Sequence, residues 1–265
     1  LTVEHLFSAW QEVLTRLKSA DNVILLSDFD GTLTPIVAKP EIAYLSDRTR
    51  RLLQEIIGRR KYTVGIVSGR ALDDLKDRVG LQGIIYAGNY GLEIEAPWLK
   101  YVNPDAEHVK PLLRHLHQQL SSGLEAVEGA FVENKGLSLS VHYRLVEEGQ
   151  IDEVRSILEH VTRTASMKGM IQVTSGKKVY EITPAIAWHK GKVIDLLSEE
   201  HAKRAGAGIA LPVFLGDDVS DQEGFNTVDK RNGISIFVGK GRTKSGARYF
   251  LKSPREVEQF LERLP

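Results

Sequence analysis

Val23-Ile-Leu-Leu-Ser-Asp-Phe-Asp-Gly-Thr32 is the stretch on which the fold turns. Its first four residues form an apolar run without alternation, as expected of a parallel strand buried on both faces, and the run stops at two carboxylates and a glycine. Working outward, Leu6, Trp10, Val13, Leu14 and Leu17 recur at helical spacing, which predicts an amphipathic helix over residues 4 to 19. After a loop with Pro35 and Pro40, Leu52, Leu53, Ile56 and Ile57 mark a helix, Tyr62 to Val67 a strand, Leu72, Leu75 and Val79 a short helix, and Gly83 to Ala87 a strand. The same rhythm returns late in the chain. Lys190 to Glu200 reads as a helix, Pro212 to Leu215 as a strand ending at Gly-Asp-Asp, and Gly233 to Val238 as another. Ser253, Pro254 and Glu256 supply a cap, a first-turn proline and a capping-box glutamate for a last helix carrying Val257, Phe260, Leu261 and Leu264. Alternation at these lengths predicts a doubly wound α/β fold with a parallel sheet.

The middle of the chain breaks the rhythm. A helix bearing Val109, Leu112, Leu113, Leu116 and Leu120 precedes two strands, Ala126 to Glu133 and Leu137 to His142. A second helix with Ile151, Val154, Leu158 and Val161 precedes two more, Met170 to Thr174 and Lys178 to Ile182. Gly136 and Gly176-Lys177 read as hairpin turns, so both strand pairs are expected to be antiparallel. Residues 105–183 therefore read as an α+β module inserted into an α/β core formed by residues 1–104 and 184–265, with a cleft expected between module and core.

Composition removes several function classes. The 265 residues are 42% hydrophobic and 26% charged, as in an ordinary globular protein, and 35 basic residues balance 35 acidic ones, so nothing favours nucleic acid as a partner. There is no cysteine, which excludes disulfides, thiolate nucleophiles and sulfur-ligated metals. No apolar stretch is long enough to cross a bilayer, and the opening LTVEHLFSAW has neither a basic n-region nor a cleavable apolar segment. A cytoplasmic enzyme, monomeric and without membrane attachment, is the expectation.

Ligands of open parallel sheets bind beyond the carboxyl ends of the strands. Asp28 and Asp30 follow the first such strand, Ser68 and Gly69 the second, and Asp217, Asp218 and Asp221 a later one, while Lys190 opens a helix. Convergent carboxylates need a cation, and oxygen donors without His or Cys favour Mg2+ over zinc. The same ion would neutralise a phosphate. Asp28 is then the candidate nucleophile, forming an aspartyl phosphate, and Asp30 the general acid and later base. Lys190 would hold Asp28 and the transferred group, Ser68 and Thr32 would donate hydroxyls to the phosphate, and Gly31 would let backbone N–H groups approach it. Each residue alone has a plainer role: Asp-Gly as a turn, Asp217-Asp218 as a helix cap, Ser68-Gly69 as a cap or turn, Lys190 as a solvated lysine. Their joint placement at strand ends and helix starts favours phosphate chemistry.

Four ordered segments resemble the motifs of the haloacid dehalogenase (HAD) superfamily: Asp28-Phe-Asp-Gly-Thr32, Ile66-Val-Ser-Gly-Arg70, His189-Lys-Gly191 and Gly216-Asp-Asp-Val-Ser-Asp221. The resemblance implies a Rossmannoid core with an inserted cap and a Mg2+ ion on the Asp28 side chain, the Asp30 carbonyl and the Asp217 side chain. It also implies that Asp221 supports either the metal shell or Lys190, and that Asp218 is ligand, water holder or structural partner. More narrowly, Tyr86-Ala-Gly-Asn-Tyr-Gly-Leu-Glu93, Val132-Glu-Asn-Lys-Gly-Leu-Ser-Leu-Ser-Val-His-Tyr-Arg144, Val179-Tyr-Glu-Ile-Thr-Pro184 and Trp188-His-Lys-Gly191 resemble segments of the trehalose-6-phosphate phosphatase family. That likeness implies trehalose 6-phosphate as substrate, with Glu133, Lys135 and Glu181 on the distal sugar, Asn89 on the core side of the cleft, and Arg70 reaching the phosphate or orienting the cap. Thr183 stands where many relatives carry arginine, and His189 where Asp or Asn is common. The alternatives are a phosphatase of sucrose 6-phosphate or a glucosylglycerol-type phosphate, a phosphomutase, and a silent sugar-phosphate binding module.

Overall fold

The computed structural model describes residues 3–37, 40–205, 210–239 and 246–265. They divide into two compact units, one of Leu1–Lys100 with Trp188–Pro265, the other of Tyr101–Ala187.

The first unit is built on strand β2 (Val23–Ser27), in which all five residues are buried. A strand buried on both faces must be covered on both, and the alternation of its side chains shows how. Val23 and Leu25 join Val213 and Leu215 of β11 (Leu211–Gly216) in a core with Val13 and Leu17 of α1 (Trp10–Ser19), Leu53 and Ile56 of α2 (Asp47–Ile57), and Val257 and Phe260 of α8 (Pro254–Glu262). Phe214, on the opposite face of β11, packs its ring on Phe225 of α7 (Gln222–Lys230). Helices on both faces of a parallel sheet are the doubly wound arrangement.

The sheet has nine strands in the order β1-β13-β12-β11-β2-β3-β4-β5-β6. Beside those already named stand β1 (Glu4–His5), β3 (Tyr62–Val67), β4 (Ile85–Gly88), β5 (Glu93–Ala96), β6 (Leu99–Val102), β12 (Ile234–Val238) and β13 (Tyr249–Leu251). Pairing is parallel from β1 to β4, and β5 returns antiparallel to β4. Two further helices pack on this unit, α3 (Leu72–Val79) and α6 (Lys190–Ala205).

The helix expected from residue 4 starts only at Trp10. Glu4 and Leu6 donate their N–H groups to Arg248 and Phe250, so β1 extends the sheet instead, and the apolar Leu6 is buried by tertiary pairing rather than by a helical stripe.

In the second unit, α4 (Pro104–Leu124) precedes β7 (Phe131–Asn134) and β8 (Leu139–His142), and α5 (Ile151–Met167) precedes β9 (Ile171–Ser175) and β10 (Val179–Pro184). The four strands form one antiparallel sheet in the order β7-β8-β10-β9, as the repeated helix-strand-strand pattern predicts. Leu139, Val141, Tyr180 and Ile182 face Leu113, Leu116 and Leu120 of α4 and Val154 and Leu158 of α5. The opposite face is left to Glu133, Ser140, His142 and Glu181. The strand expected to begin at Ala126 begins at Phe131, because the chain turns at Gly129, whose φ is +84°.

Candidate active site

Neighbouring strands β2 and β11 end together, and the N–H of Asp28 donates to the carbonyl of Leu215 at 2.8 Å. That bond places Asp28, just past β2, beside the Gly216–Asp221 turn that follows β11. Asp28, Asp217 and Asp221 each offer a carboxylate oxygen, and the three oxygens lie within 4.8 Å of one another. Lys190, the buried first residue of α6, donates to Asp28 Oδ1 at 2.8 Å and to Asp221 Oδ1 at 2.6 Å. The other Asp221 oxygen accepts the N–H groups of Asp217 at 2.9 Å and Asp218 at 3.0 Å. Asp221 thus has both oxygens committed to shaping the turn and holding the lysine.

The charge balance is informative. Three carboxylates stand around one ammonium, a deficit of two positive charges at a site where Asp28, Asp221 and Lys190 are buried and Asp217 is half-buried. Burial pushes the Asp28 carboxyl well above its ordinary value, and repulsion from Asp221 and Asp217 adds to it against the pull of Lys190. Burial alone would lower the value of Lys190, but Asp221 and Asp28 hold its proton well above the ordinary lysine value. A divalent cation with a preference for hard oxygen donors fits both the charge and the donor set. Asp28 and Asp217 are the carboxylates that would hold it, since those of Asp221 are engaged elsewhere.

Gly31 follows at φ +82°, and a Cβ there would strike the carboxylate of Asp217. Gly31→Ala is therefore expected to displace Asp217 and weaken divalent-cation affinity by about 10- to 100-fold, as when a ligand loses its support, measured by magnesium titration of thermal stability. The Gly31 N–H itself goes to the carbonyl of Thr34 at 2.8 Å and not outward to a phosphate. Thr32 is completely buried, and its hydroxyl has no hydrogen-bond partner among the described residues, as a group waiting for an anion would. Ser68 lies buried at the end of β3, beside β2, with its Oγ accepting the Arg70 N–H at 3.3 Å. A Cβ on residue 69 would lie 2.6 Å from Tyr90 Cζ, so glycine at the centre of the Ser68-Gly69-Arg70 turn lets the Tyr90 ring pack on it.

In the second unit, Ser140 is the cross-strand partner of both Glu133 and Glu181, so the three form a row across β7, β8 and β10. Ser140 Oγ lies 2.9 Å from each Glu181 oxygen, Lys135 Nζ donates to Glu181 Oε2 at 3.2 Å, and His142 Nε2 meets Glu133 Oε2 at 2.8 Å. The sequence reading missed Ser140 and His142. The alternation Leu139-Ser-Val-His142 carried the signal, since Leu139 and Val141 face the helices and their neighbours must face away.

The family model described as trehalose-phosphatase matches residues 26–255. The chain belongs to the trehalose-phosphatase family. It is 34% identical over 264 residues to the probable trehalose-phosphate phosphatase 4 of Oryza sativa subsp. japonica, covering 97% of this chain and 69% of that relative. It is 33% identical over 272 residues to the trehalose-phosphate phosphatase of Mycobacterium tuberculosis, covering 99% of this chain and 68% of the relative. Its fold is similar to that of the C-terminal domain of trehalose-6-phosphate phosphatase from C. albicans, with a TM-score of 0.84 at 23% identity over 100% of this chain and 98% of that one. The resemblance drawn from the four motifs is thereby borne out, as is the α/β core with an inserted cap.

In this member of the family four of the candidate site residues have their side chains engaged by neighbours in the same unit. Asp30, whose carbonyl and not whose carboxylate is expected on the metal, has its two carboxylate oxygens taken by Arg70 Nε at 2.7 Å and Nη2 at 2.8 Å. Arg70 accordingly spends its fork on carboxylates, with Nη1 on Asp74 at 2.8 Å, where a phosphate ligand had been expected. Asp218 is exposed and caps the turn at 219–221, accepting the Val219 N–H at 2.7 Å, which is the structural role among the three open to it. Asn89 is fully buried, donating its amide to Glu93 at 3.0 Å and its N–H to the Arg70 carbonyl at 2.7 Å. It shapes the turn that carries Ser68 and Arg70. Among the described residues no helix is long and apolar enough to cross a membrane.

Proposed function

We propose that this chain hydrolyses trehalose 6-phosphate to trehalose and inorganic phosphate through a phosphorylated Asp28, with magnesium on Asp28 and Asp217. The observation that carries the reading is the cluster of three carboxylates, two of them buried on the ammonium of Lys190 and the third half-buried beside them, short of two positive charges at the carboxyl ends of adjacent parallel strands. Magnesium, when bound, would neutralise phosphate charge and leave phosphorus open to an anionic nucleophile. A carboxylate oxygen of Asp28 forms a bond to phosphorus as the bond from phosphorus to the sugar oxygen breaks, and Asp30 gives that oxygen its proton. Asp30 then takes a proton from the water that attacks the phosphorus and frees Asp28. Lys190 stays charged throughout and steadies the oxygens of Asp28.

The sugar is assigned to the row of Glu133, Ser140, Glu181 and Lys135, in which carboxylates, a hydroxyl and an ammonium supply both acceptors and donors for sugar hydroxyls. Lys135→Ala removes a donor and the charge that balances Glu181, leaving that carboxylate to Ser140. Its KM for trehalose 6-phosphate is expected to rise about 10- to 100-fold, the worth of a hydrogen bond to a charged group. An unchanged KM would remove Lys135 from sugar recognition.

Phosphate release from trehalose 6-phosphate, sucrose 6-phosphate and glucose 6-phosphate, each with magnesium and with chelator, tests the function itself. The first ester is expected to be preferred and the chelator to stop turnover. Equal rates on all three would discard the substrate assignment, and activity that survives the chelator would discard the metal.

A further inference from the structure

Behind Arg70 a second layer of charge is ordered more tightly than a surface ion pair requires. Asp74, in the first turn of α3, accepts Arg70 Nη1 on Oδ2 at 2.8 Å and Arg78 Nε on both oxygens at 2.8 Å. Arg78 Nη1 in turn donates to the carbonyls of Glu41 at 2.8 Å and Ala43 at 3.3 Å. The side chains of Arg70 and Arg78 are only 9% and 10% exposed, whereas Asp30 is 41% exposed at the outer end of the ladder. Phe29, itself fully buried, lies under the Arg70 guanidinium, whose Cζ is 5.4 Å from the ring centroid. The ladder therefore runs from the backbone at 41–43 through α3 to the carboxyl of Asp30, and each rung has one geometry.

We propose that Asp74 is a positioning residue for proton transfer: by clamping Arg70 from behind it fixes the fork that holds Asp30, and so decides where the proton donor to the leaving sugar oxygen stands. The inference rests on the phosphatase reading above and extends it to residues outside the four motifs. A planar fork bound on both edges has one orientation, whereas a fork bound on one edge can swing about its last torsions and carry Asp30 with it. In the step concerned Asp30, 41% exposed, has taken a proton from solvent on one oxygen while the other stays on the Arg70 fork. The bond from Asp28 to phosphorus forms, the bond from phosphorus to the sugar oxygen breaks, and that proton passes to the sugar oxygen. Both oxygens of the Asp30 carboxylate are then again held by Arg70.

The test separates placement of the proton donor from general damage by changing the leaving group. An alkoxide needs a proton to depart, while 4-nitrophenolate departs without one. First-turnover rates of phosphoryl transfer are measured with trehalose 6-phosphate and with 4-nitrophenyl phosphate, and the ratio of the two is the readout. In Asp74→Asn the ratio is expected to fall about tenfold or more, within the range that general acid catalysis supplies. Arg70→Lys, which keeps the charge and loses the fork, should lower it likewise and serves if the Asn variant does not fold. Asp74→Glu should recover part of the ratio, and Asp73→Asn, exposed on the same helix, should keep it at the wild-type value. A merely structural Asp74 would lower both rates together. A wild-type ratio in Asp74→Asn or in Arg70→Lys would therefore overturn the proposal. A wild type that prefers another sugar phosphate overturns the substrate alone, and the same ratio is then read with that ester.

Discussion

Asp28→Asn is expected to lose phosphate release by about 10⁴-fold or more, the scale on which enzymes fail when a covalent nucleophile is removed and only electrostatic groups remain. The amide is close to the carboxylate in shape, so the lysine, the turn at Asp221 and the hydroxyl of Thr32 should keep their places. What goes is the electron pair that attacks phosphorus. Substrate binding should persist, and a variant that binds the sugar phosphate without releasing phosphate separates an enzyme from a silent binding module.

The same substitution has a thermodynamic signature of opposite sign. Because the folded protein pushes the Asp28 carboxyl above its ordinary value of 3.8, by burial first and then by Asp221 and Asp217, the neutral form is favoured in the folded state. A raised carboxyl contributes stability that is present below its ordinary value and fades as pH rises through the raised one. At neutral pH without a divalent cation, wild type therefore carries an unfavourable buried charge that the Asp28→Asn variant lacks. Thermal unfolding in chelator should show Asp28→Asn at least as stable as wild type at neutral pH and losing that advantage toward pH 4. With magnesium the order should reverse, since the variant site is short of only one positive charge and holds the ion more weakly. A variant less stable than wild type in chelator at neutral pH would mean that Asp28 is not a charge the fold bears at a cost.

Much of this was legible in the sequence because it depends on local pattern. Val23 to Leu26 is apolar without alternation, so burial on both faces followed, and with it the rule that ligands gather at the strand ends where Asp28, Ser68 and Asp217 stand. The repeated helix-strand-strand unit was likewise visible in its periods. What was not legible depends on partners distant in the chain or on side-chain orientation. Glu4 and His5 are a strand only because Tyr249 and Phe250 lie beside them. Asp30 and Arg70 both sit in recognisable motifs, but that the guanidinium turns to the carboxylate, with Asp74 behind it, is a matter of rotamers that no spacing encodes. Asp218 and Asp221 look equivalent in Gly216-Asp-Asp-Val-Ser-Asp221. One is exposed and caps a turn, the other is fully buried and holds a lysine, and only the path of the chain after β11 distinguishes them.

Lys190→Met is the second large effect expected, and it should appear in both rate and stability. The ammonium bridges Asp28 Oδ1 and Asp221 Oδ1, so its removal leaves buried carboxylates facing one another. Breaking a buried ion pair from one side costs about 3–5 kcal/mol, which corresponds to roughly 10 °C in the midpoint for a unit of this size. Lysine held above its ordinary value of 10.5 contributes stability that is fully present below that value and is lost only as pH rises through the raised one, so wild type has the whole contribution at neutral pH. The Met variant should instead gain stability as pH falls from 7 toward 4, because protonation of the carboxylates is then the one relief left in the absence of a divalent cation. Magnesium should restore part of the stability without restoring the rate, since an ion on Asp28 and Asp217 cannot replace a donor that also fastens Asp28 to Asp221. The first-turnover rate with saturating magnesium is expected to fall about 10³-fold, the loss associated with a buried donor aimed at developing charge. A Met variant that is stable but slow would confine Lys190 to chemistry, and one that is fast once magnesium refolds it would confine it to structure. The geometry requires both losses together, because the Asp28 oxygen that the lysine holds belongs to the carboxylate that attacks phosphorus.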